Sequence, residues 1–193
     1  MEFLDEQDRK RTGLIIVDCS EINRLGEIDG DLKGLDTFII DHHKTGELMD
    51  NAKGYINPEA PACAFLIQLF YEKIIGELPS ELAQIIFFGL CTDSGFFHFL
   101  GTDSGIVFEA AARLVNYGVD PRKIYNEINS GKPYSTRKLL GVLLEKAERY
   151  LDGRLVITYE TLEDTKKYGL EGRDSDALYS LLLSAENVEA VVF

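Results

Sequence analysis

The sequence predicts an α/β fold: a parallel sheet flanked by helices, followed by the beginning of a smaller α/β domain. Gly13-Leu14-Ile15-Ile16-Val17-Asp18 and Asp36-Thr37-Phe38-Ile39-Ile40-Asp41 are continuous apolar runs, each closed by an acid, the pattern of strands buried on both faces. A short crossover joins them, which makes a parallel pair with helices on both faces of the sheet. From Pro61 onward the apolar spacing turns helical.

Between the two strands, Ser20-Glu21-Ile22-Asn23-Arg24-Leu25 has room for a short helix. Ala64, Phe65, Ile67, Gln68, Leu69, Tyr71 and Ile74 make an apolar helix ending near Gly76, a residue suited to a helix C-terminus. Pro79-Ser80-Glu81 opens a second helix, through Ile85, Ile86, Phe87, Phe88 and Leu90 to Asp93-Ser94-Gly95. Residues 103–117 and 121–129 read as the third and fourth. Ser130-Gly131-Lys132-Pro133 is the linker signal, and 136–150 a long amphipathic helix with Leu139, Leu140, Leu143, Leu144 and Ala147 on one face. Residues 154–159, 174–185 and 188–193 then read as strand, helix and strand. The division falls near residue 130, and the last strand, Val188 to Phe193, offers an edge for pairing with a second copy in a homodimer.

With 193 residues, 45% hydrophobic and 27% charged, the chain is long enough to bury a core. Ordinary Gly and Pro content and plentiful aliphatic residues exclude collagen-like, low-complexity and wholly disordered classes. No apolar run approaches the ~18–20 residues of a membrane span, and the polar start MEFLDEQDRKR is unlike a signal peptide. Cys19, Cys63 and Cys91 lack a CxxC spacing, which argues against a disulfide or zinc framework and for a reducing, cytoplasmic setting. A net charge of −13 disfavours passive nucleic-acid binding, which needs a basic stripe. An acidic protein still handles phosphates when bound metal ions supply the positive charge.

Candidate chemistry collects at the strand ends. His42 and His43 follow Asp41 past the carboxyl end of the second strand, the edge of an open α/β sheet where ligands bind. Asp18 ends the neighbouring strand, and Asp93 ends a helix where Gly95 permits a sharp turn and nearby amides meet an anion. Asp18, His42 and Asp93 form a carboxylate and imidazole set suited to Mn²⁺, with Mg²⁺ as a second possibility. In such a site a carboxylate shared between two ions lets them activate a water and neutralise charge at phosphorus. Asp41 takes the imidazole proton and fixes the ring's tautomer. His43 is left for the substrate's phosphate oxygens or the leaving group, with Lys44, Ser94 and His98 as further candidate substrate contacts.

Each has a plainer alternative. An Asp after a strand or helix is often a cap or turn residue, Lys44 reads also as a solvated loop lysine, and His98 as a histidine packed among Phe96, Phe97 and Phe99. Asp29/Asp31 and Asp174/Asp176 have D-x-D spacing in polar loops and read as turn chemistry. The coincidence of two strand-terminal acids with the one His pair favours a site.

In this order and at these intervals, Val17-Asp18, Asp41-His42-His43 and Thr92-Asp93-Ser94-Gly95 resemble motifs two, three and four of the DHH phosphoesterase superfamily. Asn57-Pro58-Glu59-Ala60 opening a helix, the helical region to Asn129 and the linker make the chain most similar to the oligoribonuclease (nanoRNase) and pAp-phosphatase subfamily, whose relatives include cyclic-dinucleotide phosphodiesterases. The resemblance implies a manganese-dependent hydrolase with a DHH domain over 1–129, a linker and connecting helix over 130–150, and the start of a DHHA1 domain over 151–193. It implies that Asp18 bridges two ions, that His42 and Asp93 ligate one of them, and that His43 lies on the substrate side. Expected substrates are short oligonucleotides cut by exonuclease action, linear or cyclic dinucleotides, or 3′-phosphoadenosine 5′-phosphate. Pyrophosphate or polyphosphate hydrolysis, as in sister families, is one alternative. The family's first motif, an Asp-x-Asp after an earlier strand, has no match among Glu2, Asp5, Glu6 and Asp8, and the Gly-Gly-Gly-His segment of DHHA1 is absent. One metal position is therefore expected to be only partly built, and a non-catalytic nucleotide- or protein-binding remnant is the other alternative.

Overall fold

The two acid-closed runs pair in parallel. In a computed structural model, which describes residues 10–25, 35–44, 52–169 and 173–193, β1 (Gly13–Val17) lies beside β2 (Asp36–Asp41) with Val17 opposite Ile40. A third parallel strand, β3 (Lys53–Ile56), flanks β2 on its other side and sets Ile56 opposite Asp41. The expected helix between β1 and β2 is a single 3-10 turn, Ile22–Leu25. Asp29, Asp31 and the amino-terminal acids Glu2, Asp5, Glu6 and Asp8 lie outside the described residues.

Four helices follow: α1 (Cys63–Ile74), α2 (Ser80–Asp93), α3 (Gly105–Asn116) and α4 (Pro121–Asn129). Their buried faces, with Leu66, Phe87, Leu90, Ala110 and Leu114 among the most enclosed, pack on one another and on Ile40. Helices on both faces of the sheet were expected. The register puts Ile15, Val17, Phe38 and Ile40 on one face and Ile16 and Ile39 on the other. The described helices pack on the first face at Phe38 and Ile40 and leave Ile15 and Val17 of β1 69% and 51% exposed, while Ile16 and Ile39 are buried on the second face.

Two contacts fix the spacing of the helices. Buried Gln68 on α1 donates to Glu72 Oε1 at 2.9 Å and to the Ala110 carbonyl of α3 at 3.0 Å, while Arg113 grips the Glu72 carboxylate at 2.9–3.1 Å. Between α1 and α2 the backbones approach so closely that a Cβ on Gly89 would fall 2.9 Å from the Ala64 Cβ. Alanine at an open helical site gains about 0.5–1 kcal/mol over glycine, whereas overpacking costs about 1–3 kcal/mol. Gly89→Ala is therefore expected to destabilise the chain in urea melts, and adding Ala64→Gly to restore much of the loss. A single variant as stable as wild type would refute the close contact.

The chain divides into two compact units between Ile128 and Asn129. In the second, α5 (Tyr134–Glu145) precedes a three-stranded sheet in which β5 (Leu155–Ile157) pairs antiparallel with β4 (Glu148–Tyr150) and parallel with β6 (Ala190–Val192). Helices α6 (Leu162–Tyr168) and α7 (Ser175–Leu183) complete it. Leu139, Leu143, Val156, Leu178 and Leu182 form its core. The long helix expected over 136–150 ends at Glu145. Left-handed Leu151, Asp152 and Gly153 turn the chain back, and Glu148–Tyr150 pairs with β5 instead of extending the helix. Thr161 and Asp164 cap α6 reciprocally, and Lys146 pairs with the same Asp164. That pair and the Thr161 bonds hold the Asp164 carboxyl well below its usual range. Among the described residues no helix is long and apolar enough to cross a membrane.

Candidate metal centre

The strand register assembles the site. With Val17 opposite Ile40, Asp18 follows β1 where Asp41 closes β2, and its N–H donates to the Ile40 carbonyl at 2.9 Å. Asp18 itself is left-handed, φ 60°, a conformation that Asp and Asn tolerate better than most residues. His42 Nε2 lies 3.3 Å from Asp18 Oδ1 and 3.9 Å from Asp93 Oδ2. The last residue of α2 thus meets the ends of both strands.

Hydrogen bonds determine which imidazole nitrogen does what. His42 Nδ1 lies 3.2 Å from the Ala60 carbonyl, which only accepts, so the proton of a neutral His42 is on Nδ1. Its Nε2 lone pair therefore points toward two carboxylate oxygens. Three acceptors converging without a proton between them are the donor set of a divalent cation, and a carbonyl behind the imidazole is the usual second partner of a metal-binding histidine. Burial and the like charge of Asp18 push the Asp93 carboxyl upward, partly offset by His42 and His43.

His43 is held differently. Its Nδ1 is 2.7 Å from Asp41 Oδ1, and the same oxygen accepts the N–H of His42 at 2.7 Å and of His43 at 3.2 Å. Asp41 is fully buried. Burial raises its carboxyl, but hydrogen bonds from Ser20, the His43 ring and these two amides more than compensate, and it remains below the ordinary range. The ionised carboxylate accepts a hydrogen bond from Nδ1–H and leaves Nε2 as the ring's free nitrogen. His43 Nδ1 also lies 4.0 Å from Asp18 Oδ1, so Asp18, His42 and His43 form the tightest cluster of ligand-type atoms among the described residues. With Nδ1 occupied by Asp41, His43 offers no lone pair there, and Asp93 Oδ2 is the other ligand-type atom near His42 Nε2, at 3.9 Å.

No protein-family model matches the chain. Over 196 aligned residues it is 26% identical to the bifunctional oligoribonuclease and PAP phosphatase NrnA of Thermus thermophilus, with all of this chain and 56% of that protein covered. An exopolyphosphatase-related protein from Bacteroides fragilis superposes on 90% of the chain with a TM-score of 0.80 and 23% identity. The fold is that of a DHH-type phosphoesterase. The chain spans about half the length of these relatives, 56% and 52%. The fold class and the resemblance read from the motifs both stand.

Within this DHH-type fold, the turn after Asp93 is built with care. Ser94, expected near substrate, is buried instead. Its hydroxyl donates to the Leu90 carbonyl at 2.6 Å and accepts the Phe97 N–H at 3.0 Å, so it braces the turn. Gly95, Phe96 and Phe97 are all left-handed, φ 57°, 54° and 71°, a conformation costing about 1–2 kcal/mol for each non-glycine residue. Such strain is tolerated where surroundings enforce it, as they do here. Phe96 and Phe97 pack edge-on against Phe87, with centroids 6.4 and 5.9 Å away. His98 is not packed in the core but exposed, as is Lys44.

Sequence reasoning missed Ser20 and the Ala60 carbonyl. The Cys63 thiol donates to the Ile40 carbonyl at 3.3 Å, and burial, with the nearby carboxylates, pushes it up to about 11. Cys91, also buried, rises to about 12. Both are neutral packing groups at ordinary pH.

Proposed function

We propose that this chain carries the catalytic lobe of a divalent-metal-dependent phosphoesterase acting on short oligonucleotides, linear or cyclic dinucleotides, or 3′-phosphoadenosine 5′-phosphate. The observation that carries the reading is the convergence of His42 Nε2 on Asp18 Oδ1 and Asp93 Oδ2, at 3.3 and 3.9 Å. The activities of the Thermus thermophilus relative, an oligoribonuclease and PAP phosphatase, support the substrate class.

Asp18, His42 and Asp93 hold the ion, and two carboxylates with one imidazole suit manganese. Asp18 is the ligand the superfamily resemblance places between two ions. When bound there, a divalent ion lowers the pKa of a water and offsets charge on the phosphoryl oxygens. When its Nε2 also carries a proton, His43 would donate that proton in a hydrogen bond to a phosphate oxygen or give it to the departing alkoxide. Asp41 keeps that ring in a single tautomer and orientation, and Ser20 and the two amides keep Asp41 charged.

The test is turnover of a di- or trinucleotide and of 3′-phosphoadenosine 5′-phosphate with Mn²⁺. Hydrolysis that disappears in EDTA and returns with added Mn²⁺ is expected, together with calorimetric Mn²⁺ binding that His42→Ala weakens. No turnover with any divalent ion, or turnover untouched by EDTA, would overturn the proposal.

A further inference from the structure

We infer that Phe99 is a stacking platform for the nucleobase attached to the scissile phosphate. The inference rests on the phosphoesterase reading and names the part of the substrate that this chain grips beside the metal centre.

Three phenylalanines follow Gly95, and the turn treats them differently. Phe96 and Phe97 are drawn inward, against Phe87, and further against Tyr125 at 5.0 Å and Phe108 at 5.5 Å. Phe99 stays outside, 74% exposed. Its position is nonetheless fixed. Its N–H donates to the Ser94 carbonyl at 3.1 Å, and its ring lies against Gly95, where a Cβ would come within 2.5 Å of Phe99 Cε2. Exposed His98 stands edge-on to it, with centroids 5.4 Å apart and planes at 67°.

A large ring open to solvent thereby rests on the backbone of Gly95, two residues past Asp93, which itself lies 3.9 Å from His42. Core packing does not explain it, since the core is completed by its two neighbours. Glycine at 95 is required twice over, for its left-handed φ and for the ring that rests on it. In a phosphate ester the planar, apolar group that accompanies the phosphate is a base. Stacking on an aromatic side chain holds any base, whatever its hydrogen-bonding edge.

The test uses a 5′-phosphorylated dinucleotide containing 2-aminopurine, whose fluorescence is quenched by stacking, mixed rapidly with the Mn²⁺-loaded chain and read before turnover. Quenching by wild type is expected. Phe99→Ala should weaken dinucleotide binding about tenfold, while Phe99→Trp stays within about twofold of wild type. Inorganic phosphate, which has no base, should bind wild type and Phe99→Ala alike.

Absence of quenching with wild type, undiminished quenching with Phe99→Ala, or an equal loss of phosphate binding would each overturn the inference. Quenching intact in a chain that hydrolyses nothing would sink the phosphoesterase reading and leave the platform. Hydrolysis intact with Phe99→Ala quenching as wild type does would do the reverse.

Discussion

Asp18→Asn is expected to lower Mn²⁺-dependent turnover by about a thousandfold, beyond the about 10–100-fold typical of groups that merely support a metal ligand. The substitution keeps the side chain's shape and suits the left-handed backbone at φ 60°, but removes the charge that the cation needs. Asp18 is also exposed, and its charge is one of the causes holding the neighbouring Asp93 carboxyl upward. The metal-free variant should therefore unfold at the same temperature as wild type or slightly above it. Mn²⁺ at a hundred times its dissociation constant stabilises a single-site protein by about 2.7 kcal/mol, and the variant should lose most of that shift. Turnover at the wild-type level would remove Asp18 from the mechanism. A collapsed melting transition without metal would instead assign it to the fold.

Asp41→Asn should reduce turnover about 10–100-fold with a much smaller effect on Mn²⁺ affinity. Asn still offers an oxygen to the amides of His42 and His43 and to the His43 ring, which Asp41 Oδ1 accepts at 2.7, 3.2 and 2.7 Å. It lacks the charge that stabilises the ring as it carries a proton. Asp41→Ala goes further, because it leaves buried donors unpaired at about 1–3 kcal/mol each, and should be visible in urea melts. If Asp41→Asn turned over as wild type does, His43 would need no carboxylate behind it. An equal loss of metal affinity would instead make Asp41 a support of the ligands.

What the sequence displayed and what it hid follow from the range of the interactions. β1 and β2 were legible because both are unbroken apolar runs closed by Asp18 and Asp41, and the parallel register then carried both acids to one edge. β3, Lys53–Ile56, was not, since Lys53, Gly54 and Tyr55 are exposed and give no apolar period. Glu148–Tyr150 continued the preceding helix's pattern, and only pairing with β5 across the turn makes it a strand. The described helices reach Phe38 and Ile40 of β2 but leave Ile15 and Val17 of β1 open on the same face, because a continuous apolar run does not state how far across the sheet its cover extends. In the site, an imidazole partner for Asp41 was readable from the tripeptide, but it was expected behind the metal-binding ring, and the structure gives Asp41 to His43 instead. The Ala60 carbonyl behind His42 was not readable, because a backbone oxygen leaves no mark on residue identity. Ser94 looked like a substrate contact on motif position alone, whereas its buried hydroxyl is occupied by Leu90 and Phe97.

The left-handed backbone at position 18 also bears on descent. Such a φ admits, beside Asp, chiefly Asn and Gly. Either is one base change from both aspartate codons. On the proposed mechanism, a lineage would therefore extinguish the reaction in a single mutational step without disturbing the sheet edge, and such a silenced copy would be recognised by Asn or Gly at that position above an otherwise unaltered pair of histidines.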